Sequence, residues 1–215
     1  MKELSKNNEC SMQVTCVEHL QKGKRKIYLD TGLSFILYRN ELRTLGIREG
    51  DVLSKEIYQH IMKEVIGKRA KKRALYLLEK MDRTESQLRE KLSSNEYPKE
   101  CMEDAIAYVY KFHYLDDARY AKNFVRYSQD KLSRQQIKQK LMGKGVKSED
   151  IERALEEEYF GDETTQIRKL LEKKHYKGAG RETAEFRKTY QYILRRGFKS
   201  SDILREMNSM EAEFY

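Results

Sequence analysis

Apolar positions change period along this chain, and the change marks a change of architecture. Between residues 12 and 38 they alternate or run in short β-branched and aromatic stretches, MQVTCVEHL, KRKIYLD and LSFILYR. That pattern predicts strands. QKGK (21–24) and DTG (30–32) separate them with turn chemistry, where glycine supplies positive φ cheaply, so a small antiparallel meander is expected. NELRTLG then reads as a short helix closed by Gly46, and IREGD as a turn. Ser54 is placed to cap a helix running to about Ile66. From Gly67 onward the period is helical throughout.

The helical part repeats itself. At a constant offset of 49, Leu75 falls on Phe124, Leu78 on Tyr127, Thr84 on Ser133, Leu88 on Ile137, Leu92 on Leu141 and Ala105 on Ala154. At an offset of 52, Leu141 falls on Ile193, Gly145 on Gly197, Ser148 on Ser200, Asp150 on Asp202 and Ile151 on Ile203. Each unit resolves into three helices. Thr84 with Gln87, and Ser133 with Gln136, have the spacing of a capping box at the start of helix two. Gly145 and Gly197 suit the left-handed turn that ends helix two, and Pro98, Lys147 and Lys199 stand where helix three begins. The expected fold is mainly α: three tandem three-helix repeats in an elongated, curved array, preceded by a small antiparallel β extension. The boundaries are a β-rich extension with a linking helix over 1–66, then repeats over 67–116, 117–160 and 161–215. Ile137, Leu141, Ile151 and Leu155 recur at helical spacing and read as core.

Composition narrows the function. The 215 residues include 37% charged ones, one proline and no tryptophan, a soluble, helix-rich balance with a charge content well above roughly a quarter. The net charge of +9 favours an anionic partner such as nucleic acid or an acidic protein surface. It is spread evenly: 11 basic against 9 acidic residues in 1–66, 11 against 9 in 67–116, 10 against 8 in 117–160, and 12 against 9 in 161–215. No apolar run approaches a membrane span, and the first residues, MKELSKNNEC, lack a signal core. Cys10, Cys16 and Cys101 form no metal-ligand spacing and fit a reducing cytoplasm.

Catalytic chemistry is hard to find. Asp116 and Asp117 directly precede a helix and read as caps. The four histidines, His19, His60, His113 and His175, are scattered, so zinc is not expected. GKRAKKR (67–73) lacks the phosphate-loop frame, and GAG (178–180) is a lone glycine cluster. No cofactor and no catalytic residue is expected. The basic residues carry more information. Arg119, Lys122 and Arg126 share one face of a helix, and Arg134 and Lys138 share another. Arg69, Lys72 and Arg73 stand in the first repeat, and Arg187, Arg195 and Arg196 in the third. For any one of them a solvated surface is the ordinary explanation. As a set repeated over three modules, with few acids in the first two helices of the second, they outline an anion-facing strip. The 15 tyrosines mostly occupy apolar helix positions and read as core.

YLDDARYAKNFVR (114–126), followed by a capped helix and KLMGKGVKSEDIERAL (140–155), resembles the RecX family of bacterial recombination regulators. RALYLLEKMDRTESQLREKL (73–92) is similar to that family's opening repeat, and RRGFKSSDI (195–203) to its closing repeat. The N-terminal strands with their YLD and REGD turns resemble a β extension found in a subset of members. The resemblance implies a cytoplasmic, monomeric, non-enzymatic protein. It also implies binding to the RecA filament on single- or double-stranded DNA and modulation, mostly inhibition, of RecA's ATPase, strand exchange and repressor cleavage. A helical-repeat nucleic-acid-binding protein acting independently of RecA is the alternative. An enzyme built on the N-terminal strands would need polar groups clustered there, where only Glu18, His19 and Asp30 stand out.

Overall fold

The computed structural model describes residues 11–178 and 180–213; Cys10 and the middle residue of the GAG cluster lie outside them. The chain forms two compact units, Met1–Leu115 and Asp116–Tyr215.

In the first unit, β1 (Met12–His19), β2 (Lys24–Leu29) and β3 (Ser34–Tyr38) form the expected meander. A two-residue strand, β4 (Val52–Leu53), adds to the free edge of β1, giving an antiparallel order β3-β2-β1-β4. It is too short for any period to show in the sequence. A bulge between Val14 and Cys16 shifts the β1–β2 register. Alternation turns Val14, Ile27, Leu29, Phe35 and Leu37 inward, where all are buried. Helix α1 (Arg39–Leu45) ends on Gly46 at φ 68°, the left-handed conformation glycine adopts most easily.

Ser54 caps α2 (Lys55–His60) by accepting a hydrogen bond from the Ile57 N–H. The helix does not stop at Ile66 as the sequence suggested. It widens into a π-helical turn over Ile61–Gly67 and continues as α3 (Lys68–Lys80). Gly67 has helical dihedrals, and a Cβ there would stand 2.7 Å from the Met62 carbonyl oxygen. Glycine here lets the wide turn close, so it does not terminate the helix. After α4 (Glu85–Ser93) and α5 (Lys99–Lys111), sheet and helices bury one core running from Val14 to Leu115, including Ile61, Ile66, Leu88, Leu92 and Val109. The β extension and the first three-helix repeat are therefore packed together. Cys101 lies in that core, its thiol donating to the Met62 carbonyl. Burial pushes the thiol up to about 12.

The second unit holds α6 (Asp117–Ser128), α7 (Arg134–Gly143) and α8 (Ser148–Glu158), then α9 (Glu163–Lys173), α10 (Ala184–Leu194) and α11 (Ser200–Glu213). Each triplet closes its own core. One is built from Ala121, Val125, Ile137, Leu141, Ile151 and Leu155, the other from Ile167, Leu171, Phe186, Ile193, Ile203 and Met207. Full burial of each large side chain contributes about 1.5–3 kcal/mol. Asp116 caps α6 through the Arg119 N–H at 2.8 Å, as expected. Gly145 and Gly197 take φ of 79° and 78° in the helix-ending turns.

Ser133 carries two hydrogen bonds while fully buried. Its Oγ accepts from the Gln136 N–H at 3.2 Å, starting α7, and donates to the Arg196 carbonyl at 2.6 Å. The cap of one repeat is thus joined to the α10–α11 turn of the next. Gly197, beside Arg196, is the close-approach residue: a Cβ there would stand 2.9 Å from the Gln135 Cβ.

Two outcomes follow from these contacts. Thr183 caps α10 from an exposed position, so Thr183→Ala should cost about 1 kcal/mol in urea unfolding. Ser133→Ala should cost about 2–3 kcal/mol, because it also takes the hydroxyl partner from the Arg196 carbonyl; equal losses would remove the junction role. In variants that keep a single cysteine, iodoacetamide should modify exposed Cys16 rapidly and spare Cys101 until the chain unfolds.

Candidate partner-binding surface

The eleven basic residues of the anticipated strip divide into two sets. The first set is ion-paired within the protein. The Arg69 guanidinium, on α3, bonds the Glu41 carboxylate at 2.7 Å and the Ile36 carbonyl at 2.6 Å, and lies over the Tyr38 ring. It ties α3 to β3 and α1. Lys122 and Arg126, on α6, meet Glu157 and Glu158 at 2.5 Å, the Arg126 pair being bidentate. Lys138, on α7, is bonded to Glu152. All three acids belong to α8, which packs against both α6 and α7. The strip was drawn from the acids of the first two helices alone. The third helix of the same module supplies the counter-charge for Lys122, Arg126 and Lys138, and α1 supplies it for Arg69, so these four are ion-paired within the protein.

These pairs repeat with the module. Arg89 bonds Glu103 through both terminal nitrogens, at 2.7 and 2.8 Å, and Glu85 through Nε at 2.6 Å. Arg89 and Glu103 are the offset-49 counterparts of Lys138 and Glu152, so the second and third helices of two repeats are clamped at one place. The two carboxylates hold the Arg89 guanidinium well above its usual range, with the Glu103 hydrogen bond the larger cause. Arg168 on α9 meets the buried Glu206 on α11 at 2.5 Å, a first-to-third helix clamp like Arg126–Glu158.

The second set faces outward. Lys72 is exposed, and Arg73 beside it lies 5.4 Å from the Tyr76 ring centroid. Tyr76 is itself 49% exposed, an exception among tyrosines that mostly pack against the cores, and supplies a flat apolar face among charges. Arg119 is exposed near the start of α6. Arg134 is exposed over Tyr159 and lines a groove of 550 Å³ between the second and third repeats, with Lys138, Leu194 and Lys199. Arg187 reaches Glu182 at 3.6 Å, where screening leaves little attraction. Arg195 is exposed, while Arg196 is half-buried with its guanidinium 3.7 Å from the Tyr192 ring centroid. No group of three or more His, Cys, Asp or Glu residues is placed to hold a metal ion among the described residues. None of their helices is long and apolar enough to cross a membrane.

Comparison with known proteins agrees with this module structure. Residues 70–108 match the family model described as the first three-helix domain of RecX, and residues 116–155 the second. The chain is 30% identical over 194 residues to "Regulatory protein RecX" of Caldanaerobacter subterraneus subsp. tengcongensis, covering 89% of this chain and 96% of that one. It is also 30% identical over 197 residues to the protein of the same name in Clostridium acetobutylicum, covering 88% and 92%. Among solved structures, "Crystal structure of regulatory protein RecX" superposes with a TM-score of 0.58 at 26% identity, covering 89% of this chain and 96% of that chain. RecX from Lactobacillus salivarius shares the fold with a TM-score of 0.56 at 21% identity, over 68% and 97%. The chain belongs to the RecX family of regulatory proteins.

The Arg126–Glu158 pair has a pH signature. Its hydrogen bond holds the Glu158 carboxyl below the usual carboxylate range, against a smaller opposing effect of burial. A lowered folded value means the pair stabilises above the ordinary carboxylate titration and is lost as pH falls through the lowered value. Arg126→Ala should raise the Glu158 midpoint in a carboxyl-carbon NMR titration; an unmoved midpoint would show that Arg126 does not hold it.

Proposed function

We propose that this chain acts as a non-enzymatic regulator that binds the RecA–DNA filament and restrains RecA's ATPase, strand exchange and repressor-cleavage activities. The observation that carries the proposal is its membership, over nearly nine-tenths of its length, of a family whose relatives are named regulatory proteins. The charge distribution supports the partner. Cations left outward in both units, Lys72 and Arg73 in one and Arg119, Arg134, Arg187 and Arg195 in the other, suit a long anionic surface better than a compact ligand. Phosphate contacts of this kind are sequence-independent and weaken with salt. Such a protein works in the cytoplasm, where the filament forms. The assignment of the outward set to the interface belongs to the proposal; Arg69, Lys122, Arg126 and Lys138 are left out of it.

RecA ATPase on single-stranded DNA, titrated with this protein beside a DNA-binding titration at the same salt, tests the reading. Inhibition is expected at concentrations where bare DNA is still largely unbound. Unchanged ATPase with tight binding to bare DNA would favour a nucleic-acid-binding protein that works without RecA. The double variant Lys72→Glu, Arg73→Glu should keep the circular-dichroism spectrum of the parent and lose inhibition by about tenfold or more, as two reversed contacts to an anionic filament imply. Full inhibition would place the interface elsewhere.

A further inference from the structure

Between the second and third repeats lies a basic pocket of whose four cations the strip anticipated only Arg196. It has a volume of 160 Å³, room for several waters. Three elements build it. Helix α9 contributes Lys169 and Lys173, four residues apart on one face, together with Gln166 from the same face. The loop between α6 and α7 brings Lys131, and the α10–α11 turn brings Arg196. One carboxylate, Asp130, stands against these four cations.

The cations differ from those of the second repeat. Lys122, Arg126 and Lys138 are neutralised by α8, whereas Lys131, Lys169, Lys173 and Arg196 form no ion pair among the described residues. Converging like charges repel, and the buried ring of Phe198 in the wall weakens the screening that water supplies. An anion in the pocket removes that repulsion. A second observation narrows the anion. Gln166 is 8% exposed, and its side-chain nitrogen donates to the Gln129 carbonyl at 2.6 Å. That bond fixes the amide, because the reverse orientation would set two oxygens face to face. Its Oε1 is buried and accepts no hydrogen bond, a costly state for a polar atom. The oxygen is shut from solvent, so a ligand donor meets it only once the side chains around it shift.

We propose that this pocket binds a phosphate ester that carries a hydroxyl or amino donor beside the phosphate. The four cations hold the phosphate, and Gln166 Oε1 accepts from the neighbouring donor. Sulfate carries no proton at neutral pH and so offers Gln166 no donor, and it fits less well. Nucleotides have this chemistry, either within a strand or free in solution. If the ester is strand backbone, the pocket is one of the DNA contacts of the reading above. The test contains no RecA, so the two can fail separately.

The experiment compares the full chain with Lys169→Glu, Lys173→Glu and with a charge-matched control, Lys140→Glu, Lys177→Glu, whose residues are exposed outside the pocket. Binding of a short fluorescent oligodeoxynucleotide is followed by anisotropy across a salt series. Deoxyadenosine monophosphate and inorganic sulfate are followed by amide shifts of Gln166 and Lys169. The pocket variant should bind the oligonucleotide about tenfold more weakly than the control, with a salt slope lower by about one to two; that outcome assigns the pocket to strand backbone. Oligonucleotide binding equal to the control's, with deoxyadenosine monophosphate shifting the pocket amides only in the parent and control, assigns it to a free nucleotide. Sulfate shifting those amides as strongly as the nucleotide overturns the acceptor role of Gln166. Equal oligonucleotide binding with no nucleotide shifts overturns the proposal.

Discussion

A buried serine hydroxyl sets how the second and third modules join. Ser133 is completely enclosed, so both ends of its O–H group must be satisfied within the protein. One end starts α7 by accepting from Gln136, and the other reaches across to the Arg196 carbonyl. A helix cap ordinarily spends its hydroxyl on its own helix and water. Here the water side is replaced by the next module's turn, so helix initiation and module docking share one atom. The glycine at 197 follows from the same constraint. The turn approaches so closely that the Gln135 Cβ occupies the place of a side chain, and φ is 78° besides.

This explains why so much of the fold was legible in the sequence. The caps, the helix-ending glycines and the apolar rows all recur at offsets of 49 and 52, and each is a local device whose chemistry restricts the residue. Thr84 and Ser133 had to be small hydroxyl residues, and Gly145 and Gly197 had to tolerate positive φ. Where the chemistry permits substitution, the signal fades. Glu96 occupies the first-repeat place of Gly145 at φ 56°, without being glycine. Its carboxylate reaches Lys26 of β2 at 2.5 Å, so a strained turn is held by a contact to the sheet that no repeat alignment contains. Gly67 misled for the opposite reason. It looks like a terminator, yet it is needed small inside a continuous helix whose wide turn brings Met62 close.

The basic strip was the least legible part. Helical spacing tells which residues share a face of one helix, and Arg119, Lys122 and Arg126 do share one. It does not tell which helix covers that face. Three α8 acids, Glu152, Glu157 and Glu158, lie some 14 to 35 residues along the chain from Lys138, Lys122 and Arg126, and their effect depends on packing alone. The pocket cations Lys131, Lys169 and Lys173 were missed by the same logic in reverse. They come from a loop and a helix of different modules, so no single periodic stretch shows them together.

The division between spent and unspent charge follows the repeats. A clamp between second and third helices recurs as Arg89–Glu103 and Lys138–Glu152. At the offset of 52 its third-repeat places are Tyr190 and Leu204. There the two helices are joined by a neutral hydrogen bond between the Tyr190 and Ser200 hydroxyls at 2.9 Å, and Leu204 packs on the core. Replacing the ion pair by a neutral contact removes one base and one acid together, so the clamp is lost without changing the net charge of the repeat. Residues 161–215 carry 12 basic against 9 acidic residues, the largest excess of the four segments, and that excess arises elsewhere in the repeat. In this repeat Lys169, Lys173 and Arg196 form no ion pair among the described residues, and it is there that they gather around a concavity, because its clamp is made by hydroxyls and apolar packing and its cations are placed by other elements.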